Sequence, residues 1–179
     1  MNLANRLTML RIFMIPVFMF FLLVRIPYGD VIAAIIFIVA ASTDGLDGYI
    51  ARKRRQITNL GKLLDPLADK MLVTAALITL VDLGKVPAWI AVVILGREFF
   101  VTGLRGVAAS EGIVIAASIL GKVKTVSQIL ALTLLLLNDY IQPMIGLDIG
   151  IYALYAAVVF TLWSGYDYIS KTISQIKLE

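Results

Sequence analysis

The sequence predicts an all-α integral membrane protein: six transmembrane helices with a short N-terminal interfacial helix. Three observations predict it. The chain has 179 residues and is 60% hydrophobic, against about 45–50% apolar residues in typical soluble domains, and its mean hydropathy is +0.94. Apolar runs of about 20 residues recur with short connections, so roughly six spans fill the chain. Lysine and arginine gather in alternate connections. No separate soluble domain fits, so residues 1–179 form one membrane domain.

The elements follow in order. Leu3, Leu7 and Leu10 recur at helical spacing with Asn2, Asn5, Arg6 and Arg11 between them, which predicts a helix lying at the membrane interface. It runs into a first span over about 10–26 that contains Pro16, a residue membrane helices tolerate. The apolar stretch lacks a small-residue cleavage site, so it does not read as a removable signal. Pro27-Tyr28-Gly29-Asp30 is a turn. The second span covers about 31–50, and Arg52-Lys53-Arg54-Arg55 follows it. The third covers about 62–83, with Pro66 expected in its first turn, where proline costs little. A fourth span, about 87–105, contains Arg97 and Glu98. Gly106, Ser110, Glu111 and Gly112 mark a loop or broken helix within 103–117. The fifth span covers about 122–137, a polar connection containing Pro143 and Gly146 follows over 138–148, and the last span covers about 149–169.

Lys/Arg asymmetry sets the orientation. Arg6 and Arg11, Arg52 to Arg55 with Lys62, Arg105 with Lys122 and Lys124, and Lys171 with Lys177 fall on one side. The alternate connections hold only Arg25 and Lys85. The richer side is cytoplasmic, which places both termini there.

The chemistry concentrates between spans two and three. Asp44 and Asp47 are three residues apart, and Asp65 and Asp69 are four apart. On helices each pair shares a face. Charges at membrane depth cost a few kcal/mol or more and persist where a partner offsets them. Asp69 lies about 10 Å along its helix from Lys62. The chain has no histidine and no cysteine, so metal binding and proton transfer fall to carboxylates. An all-oxygen donor set suits Mg²⁺, Mn²⁺ or Ca²⁺ rather than zinc or copper. Gly45, Gly48 and Gly61 allow close approach to the backbone, and Arg52 can hold a phosphate in bidentate fashion. These features describe a cytoplasmic site for a phosphate-containing substrate, open to the lipid.

The pattern Asp44-x2-Asp47-Gly48-x2-Ala51-Arg52-x8-Gly61-x3-Asp65-x3-Asp69 resembles the complete signature of the CDP-alcohol phosphatidyltransferases. The resemblance implies a six-helix membrane fold, usually homodimeric. It implies two divalent cations, Mg²⁺ or Mn²⁺, held by Asp44, Asp47, Asp65 and Asp69, with Asp69 as general base. It implies a cytidine and diphosphate pocket shaped by Gly48, Ala51, Arg52 and Gly61. The reaction it implies displaces CMP from a CDP-linked lipid by an alcohol.

A second set of segments bears on the alcohol. Asn5-Arg6-Leu7-Thr8-x2-Arg11, Gly96-Arg97-Glu98-Phe99, Thr102-Gly103-Leu104-Arg105 and Gly121-Lys122-Val123-Lys124-Thr125 resemble the phosphatidylglycerophosphate synthases. These use CDP-diacylglycerol and glycerol 3-phosphate at the bacterial cytoplasmic membrane. A phosphorylated acceptor carries about two negative charges. Arg105 and Lys124, then Arg97 and Lys122, are the cations expected to meet it, and Glu98 is expected to orient an arginine. Asn5 and Thr8 serve either the nucleotide pocket or an interfacial cap. The alternatives are the same chemistry on glycerol, serine, inositol phosphate or phosphatidylglycerol, a cation or proton transporter using membrane aspartates, and a non-catalytic headgroup binder. A transporter needs acidic residues spread through the bilayer, whereas here they lie near one face. Membrane lipids are expected partners and nucleic acid is not. Gly96 and Gly103 are expected at a close helix contact. Trp89, Trp163 and Tyr152, Tyr155, Tyr166 and Tyr168 are expected as interface anchors or packing. Asp139 and Asp148 are expected as loop residues on the far side.

Overall fold

The structure, a computed structural model, describes the backbone of residues 3–24, 26–54, 59–110, 112 and 118–176. It describes the side chains of these except 3, 4, 44–54, 59–66 and 173–176. Among these residues all regular secondary structure is helical: α1 Leu3–Leu23, α2 Gly29–Arg54, α3 Asn59–Asp82, α4 Ala88–Ser110, α5 Ile119–Leu136, α6 Asn138–Ile145 and α7 Ile149–Ile176. By length and composition, three described helices can cross a membrane: α1 over Asn5–Leu23, α5 over Ile119–Leu136 and α7 over Ile149–Thr172. The apolar part of α2, Gly29–Thr43, is shorter. Helices α3 and α4 are as long, but Asp69, Lys70, Arg97, Glu98 and Arg105 interrupt their apolar runs.

Several expected boundaries move. The interfacial helix and first span are one continuous helix through Pro16. Helix α3 starts at Asn59, so Pro66 sits inside the helix and not in its first turn. Helix α4 continues through Gly103 and Gly106 and ends at Ser110, and Gly112 stands in a turn at φ 80°. The loop or broken helix expected within 103–117 therefore begins later, and residues 111 and 113–117 lie outside the described residues. The polar connection after α5 contains α6, which ends on Gly146 in a left-handed conformation with φ 73°. Only glycine adopts that conformation without strain. Helix α5 opens with Ser118, whose hydroxyl accepts from the Gly121 N–H, a side-chain cap for one of the free donors of the first turn.

Helical periodicity explains the packing. Asn5, Thr8, Arg11, Ile15, Phe18 and Leu22 are the buried residues of α1, and their steps of three and four residues trace a single stripe. That stripe faces α2 and α3, and Phe18 meets Phe37 at 5.9 Å between ring centroids. Between helices in lipid, close packing replaces the hydrophobic drive. Ala33, Ala34, Ala40, Ala68, Ala76, Ala131 and Ala157 are accordingly buried along the seams. The outer surface is apolar: Phe13, Val92, Ile119 and Val126 are all well exposed, as a lipid-facing surface requires.

Helices α5 and α7 approach closely. A Cβ on Gly150 would lie 3.0–3.1 Å from Leu135, including its backbone. Gly96 and Gly103 do not play this part, because among the described residues nothing lies within 4 Å of a Cβ built on either. Both lie on the exposed face of α4.

At the end of the bundle where α2 begins, Lys85 ties three connections together. Its Nζ donates to Asp139 Oδ2 at 2.9 Å and lies 3.7 Å from Asp30 Oδ2. Asp139 therefore lies in a helix and an ion pair rather than in a loop. Asp148 Oδ1 accepts from the Ile151 N–H at 3.1 Å and so caps α7.

Gly150→Val should destabilise the protein by about 1–3 kcal/mol through overpacking against Leu135. Gly96→Ala should be neutral or stabilising by up to about 1 kcal/mol. Denaturation midpoints in detergent check both, and equal losses at the two glycines would contradict the α5–α7 contact.

Candidate active site

The donor motif spans the α2–α3 junction. Asp44, Asp47, Gly48, Ala51 and Arg52 lie on α2, and Gly61, Asp65 and Asp69 lie on α3. The two helices pack together, so the four carboxylates belong to adjacent helices. The side chains of 44–52, of Gly61 and of Asp65 fall outside the described residues. Asp69 is described, and it is half-buried.

Helix α1 supports this junction. Arg11 and Thr8 are fully buried and Asn5 nearly so. Arg11 Nε donates to Thr43 Oγ1 at 3.4 Å, and Thr43 immediately precedes Asp44. The polar residues of the α1 opening therefore face the motif helix and are not spread along the membrane surface.

The cationic group is built around Glu98. Lys124 is almost completely buried, and its Nζ donates to Glu98 Oε1. The same oxygen accepts from Arg97 Nη1 at 3.3 Å. Arg97 Nη2 donates to Ser164 Oγ on α7, while Arg97 Nε is buried without a hydrogen-bond partner. Gly165 makes room for this arginine, since a Cβ there would stand 3.2 Å from Arg97 Cγ. Arg105 is exposed and lies over the Tyr168 ring, 5.7 Å from its centroid, within cation–π range.

A small cavity of about 20 Å³ joins the two halves. Asp69 and Lys70 of α3 line it with Glu98, Lys124, Thr125 and Gln128. The structure thus brings Asp69, Arg97, Glu98 and Lys124 together. Arg105 stands to one side against Tyr168, and Lys122 is exposed on α5 with no ion pair among the described residues. Glu98 does orient an arginine as expected, and in addition holds Lys124.

Two contributors escaped the sequence reading. Lys70 donates to Thr102 Oγ1 and to the Glu98 carbonyl. Helix α7 supplies a polar stripe, Thr161, Ser164, Tyr168 and Thr172, all buried. Gln128 Nε2 donates to Thr161 Oγ1 at 2.9 Å. Steps of three and four residues within an apolar span were the available signal.

The donor set can be tested against a metal by its chemistry. Four carboxylates on two packed helices form an all-oxygen set that fits a hard divalent cation. Of the four, only Asp69 has a described side chain, and no cluster of three ligands occurs among the described residues.

Comparison with known proteins adds a family and relatives. A family model described as CDP-alcohol phosphatidyltransferase matches residues 1–163. The chain is 46% identical over 188 aligned positions to a CDP-diacylglycerol--glycerol-3-phosphate 3-phosphatidyltransferase of Bacillus subtilis, covering 98% of this chain and 97% of the relative. It is 40% identical to the Rickettsia bellii protein of the same description, covering 93% of each. It is also 40% identical to a probable phosphatidylglycerophosphate synthase of Mycobacterium tuberculosis, covering 98% of this chain and 83% of the relative.

Removing the shared carboxylate leaves two cations unpaired, one of them buried. Glu98→Ala should cost about 3 kcal/mol, read as a lower unfolding midpoint. Lys171→Ala, at the exposed i,i+4 pair with Asp167, should cost less than about 1 kcal/mol. Similar small losses in both would contradict the central place of Glu98.

Proposed function

The chain belongs to the CDP-alcohol phosphatidyltransferase family, and from that premise we propose that it transfers the phosphatidyl group of CDP-diacylglycerol to glycerol 3-phosphate. The products are phosphatidylglycerophosphate and CMP. The observation that carries this reading is the cavity shared by Asp69, from the donor motif, and by Glu98 and Lys124, from the cationic group. A CDP-lipid and a phosphorylated alcohol need those two halves side by side. The three relatives named above carry descriptions that agree with this acceptor.

The residues then take the following roles. Asp44, Asp47, Asp65 and Asp69 hold two divalent cations, Mg²⁺ or Mn²⁺. Bound there, these ions supply charge neutralisation at a diphosphate and at the leaving CMP. Gly48, Ala51, Arg52 and Gly61 shape the nucleotide pocket. Asp69 accepts the proton of the attacking hydroxyl, in a chain that has no histidine for the task. The new bond joins that oxygen to the lipid phosphorus, the bond from phosphorus to the CMP oxygen breaks, and CMP departs with the electron pair. Arg97, Arg105, Lys122 and Lys124 receive the acceptor phosphate, with the unpartnered Nε–H of Arg97 available for one oxygen. Positioning and fixed charges carry most of such a transfer.

The membrane arrangement belongs to the same reading. Helices α1 to α5 and α7 cross the bilayer as six spans, and α6 lies at the far surface. The site and both termini face the cytoplasm, supported by the Lys/Arg asymmetry. The family resemblance supports a homodimer.

The test is turnover by purified protein with CDP-diacylglycerol, Mn²⁺ and labelled acceptors. CMP release is expected with glycerol 3-phosphate, and chelation of the metal should abolish it. Asp69→Asn should lower kcat by about 10²–10⁴-fold. Turnover with glycerol, serine or inositol phosphate in place of glycerol 3-phosphate would overturn the acceptor. Full turnover by Asp69→Asn would overturn the base.

A further inference from the structure

Among the cations around the cavity, Lys70 is held differently from its neighbours. Lys124 is paired with Glu98, and Arg97 shares that carboxylate. Lys70 Nζ donates to the Thr102 hydroxyl and to the Glu98 main-chain carbonyl, the latter at 3.4 Å. Both acceptors are neutral. Among the described residues no carboxylate lies within salt-bridge distance of it. Lys70 is nevertheless half-buried, and an ammonium partly withdrawn from water with only neutral oxygens as direct acceptors is costly. Two neutral oxygens meet part of its donor capacity, and an ammonium has three protons to give.

The surroundings identify the missing partner. Lys70, Arg97 and Lys124 stand against the carboxylates of Glu98 and Asp69 in this group, which leaves one positive charge. A phosphate monoester carries about −1.5 to −2 at neutral pH. The side chain is also drawn to one side. Although Lys70 follows Asp69 on the donor helix, both of its hydrogen bonds run to α4, the helix that carries Arg97 and Glu98. We propose that Lys70 is a phosphate-binding residue of the acceptor half, reaching from α3 to meet the phosphate of glycerol 3-phosphate. The proposal rests on the reading of the α4–α5 cations as the acceptor half. One helix then fixes both reacting parts: Asp69 at the hydroxyl and Lys70 at the phosphate of the same small molecule.

Steady-state kinetics of the purified full-length protein test this. In Lys70→Met, KM for glycerol 3-phosphate and the inhibition constant of inorganic phosphate should both rise about tenfold to hundredfold, the usual cost of a lost hydrogen bond to a charged group. KM for CDP-diacylglycerol should stay within about twofold, and Lys70→Arg should keep both phosphate constants within about threefold of the parent values. A purely structural lysine would not produce that split. Lys70→Gln is read in the same way if Lys70→Met does not fold. Unchanged phosphate constants would overturn the proposal, as would a rise in KM for CDP-diacylglycerol alone, which assigns Lys70 to the donor diphosphate. Arg97→Gln separates the two readings. If it raises KM for glycerol 3-phosphate while the Lys70 variants do not, Lys70 alone is misassigned. If neither does, the acceptor half itself is misplaced.

Discussion

The pairing of Glu98 with two cations is the constraint on which this end of the bundle depends. One carboxylate oxygen meets Lys124 from α5 and Arg97 from α4, and Arg97 passes the connection on to Ser164 of α7. Three helices are thereby joined through one acidic side chain. In a low-dielectric bundle such a group is worth keeping only while every member stays partnered. That fixes how far α4, α5 and α7 can separate. Gly165 completes the arrangement, because a Cβ there would stand 3.2 Å from Arg97 Cγ and crowd its stem. The ion-paired group is therefore itself part of the scaffold.

The donor half is fixed by a different device. The buried stripe of α1 changes character along its length, from Leu22, Phe18 and Ile15 to Arg11, Thr8 and Asn5. Its apolar part packs the middle of the bundle. Its polar part faces the end of α2 that leads into the aspartate motif, where Arg11 meets Thr43. Because α3 packs against α1, α2 and α4, it carries Asp69 and Lys70 to the boundary between the donor and cationic groups. Consecutive residues on one rigid helix keep those two groups at a constant separation, which loops would not.

Much of this was legible in the sequence, and the exceptions share causes. The helical class, the α2–α3 placement of the aspartates and the tail of cations on α4 and α5 follow from hydropathy and charge spacing. The interfacial helix did not separate from the first span, because Asn5, Thr8 and Arg11 share a stripe with the apolar residues that follow. Gly103 and Gly106 suggested a break, but glycine weakens a helix by only about 1 kcal/mol, and α4 continues. Gly96 and Gly103 read as a contact motif, while the close approach occurs at Gly150. Spacing alone does not say which face a neighbour covers. Lys70 was overlooked because one lysine beside a strong aspartate motif reads as its counter-charge. The part of α7 was overlooked because Thr161 and Ser164 are uncharged, and their meaning depends on which helix they face.

The two ends of the bundle solve the problem of charge in opposite ways, and the contrast locates function. At the end where α2 begins, Lys85 sits between Asp30 and Asp139. Burial pushes the Asp30 carboxyl above its usual range, with Lys85 opposing the shift and Asp139 adding to it. There one cation stands between two carboxylates and ties the connections together. At the other end Lys70, Arg97 and Lys124 outnumber the carboxylates of Asp69 and Glu98, and Arg97 Nε has no partner. Internal pairing cannot resolve that excess. A positive excess beside a cavity favours the binding of an anion there.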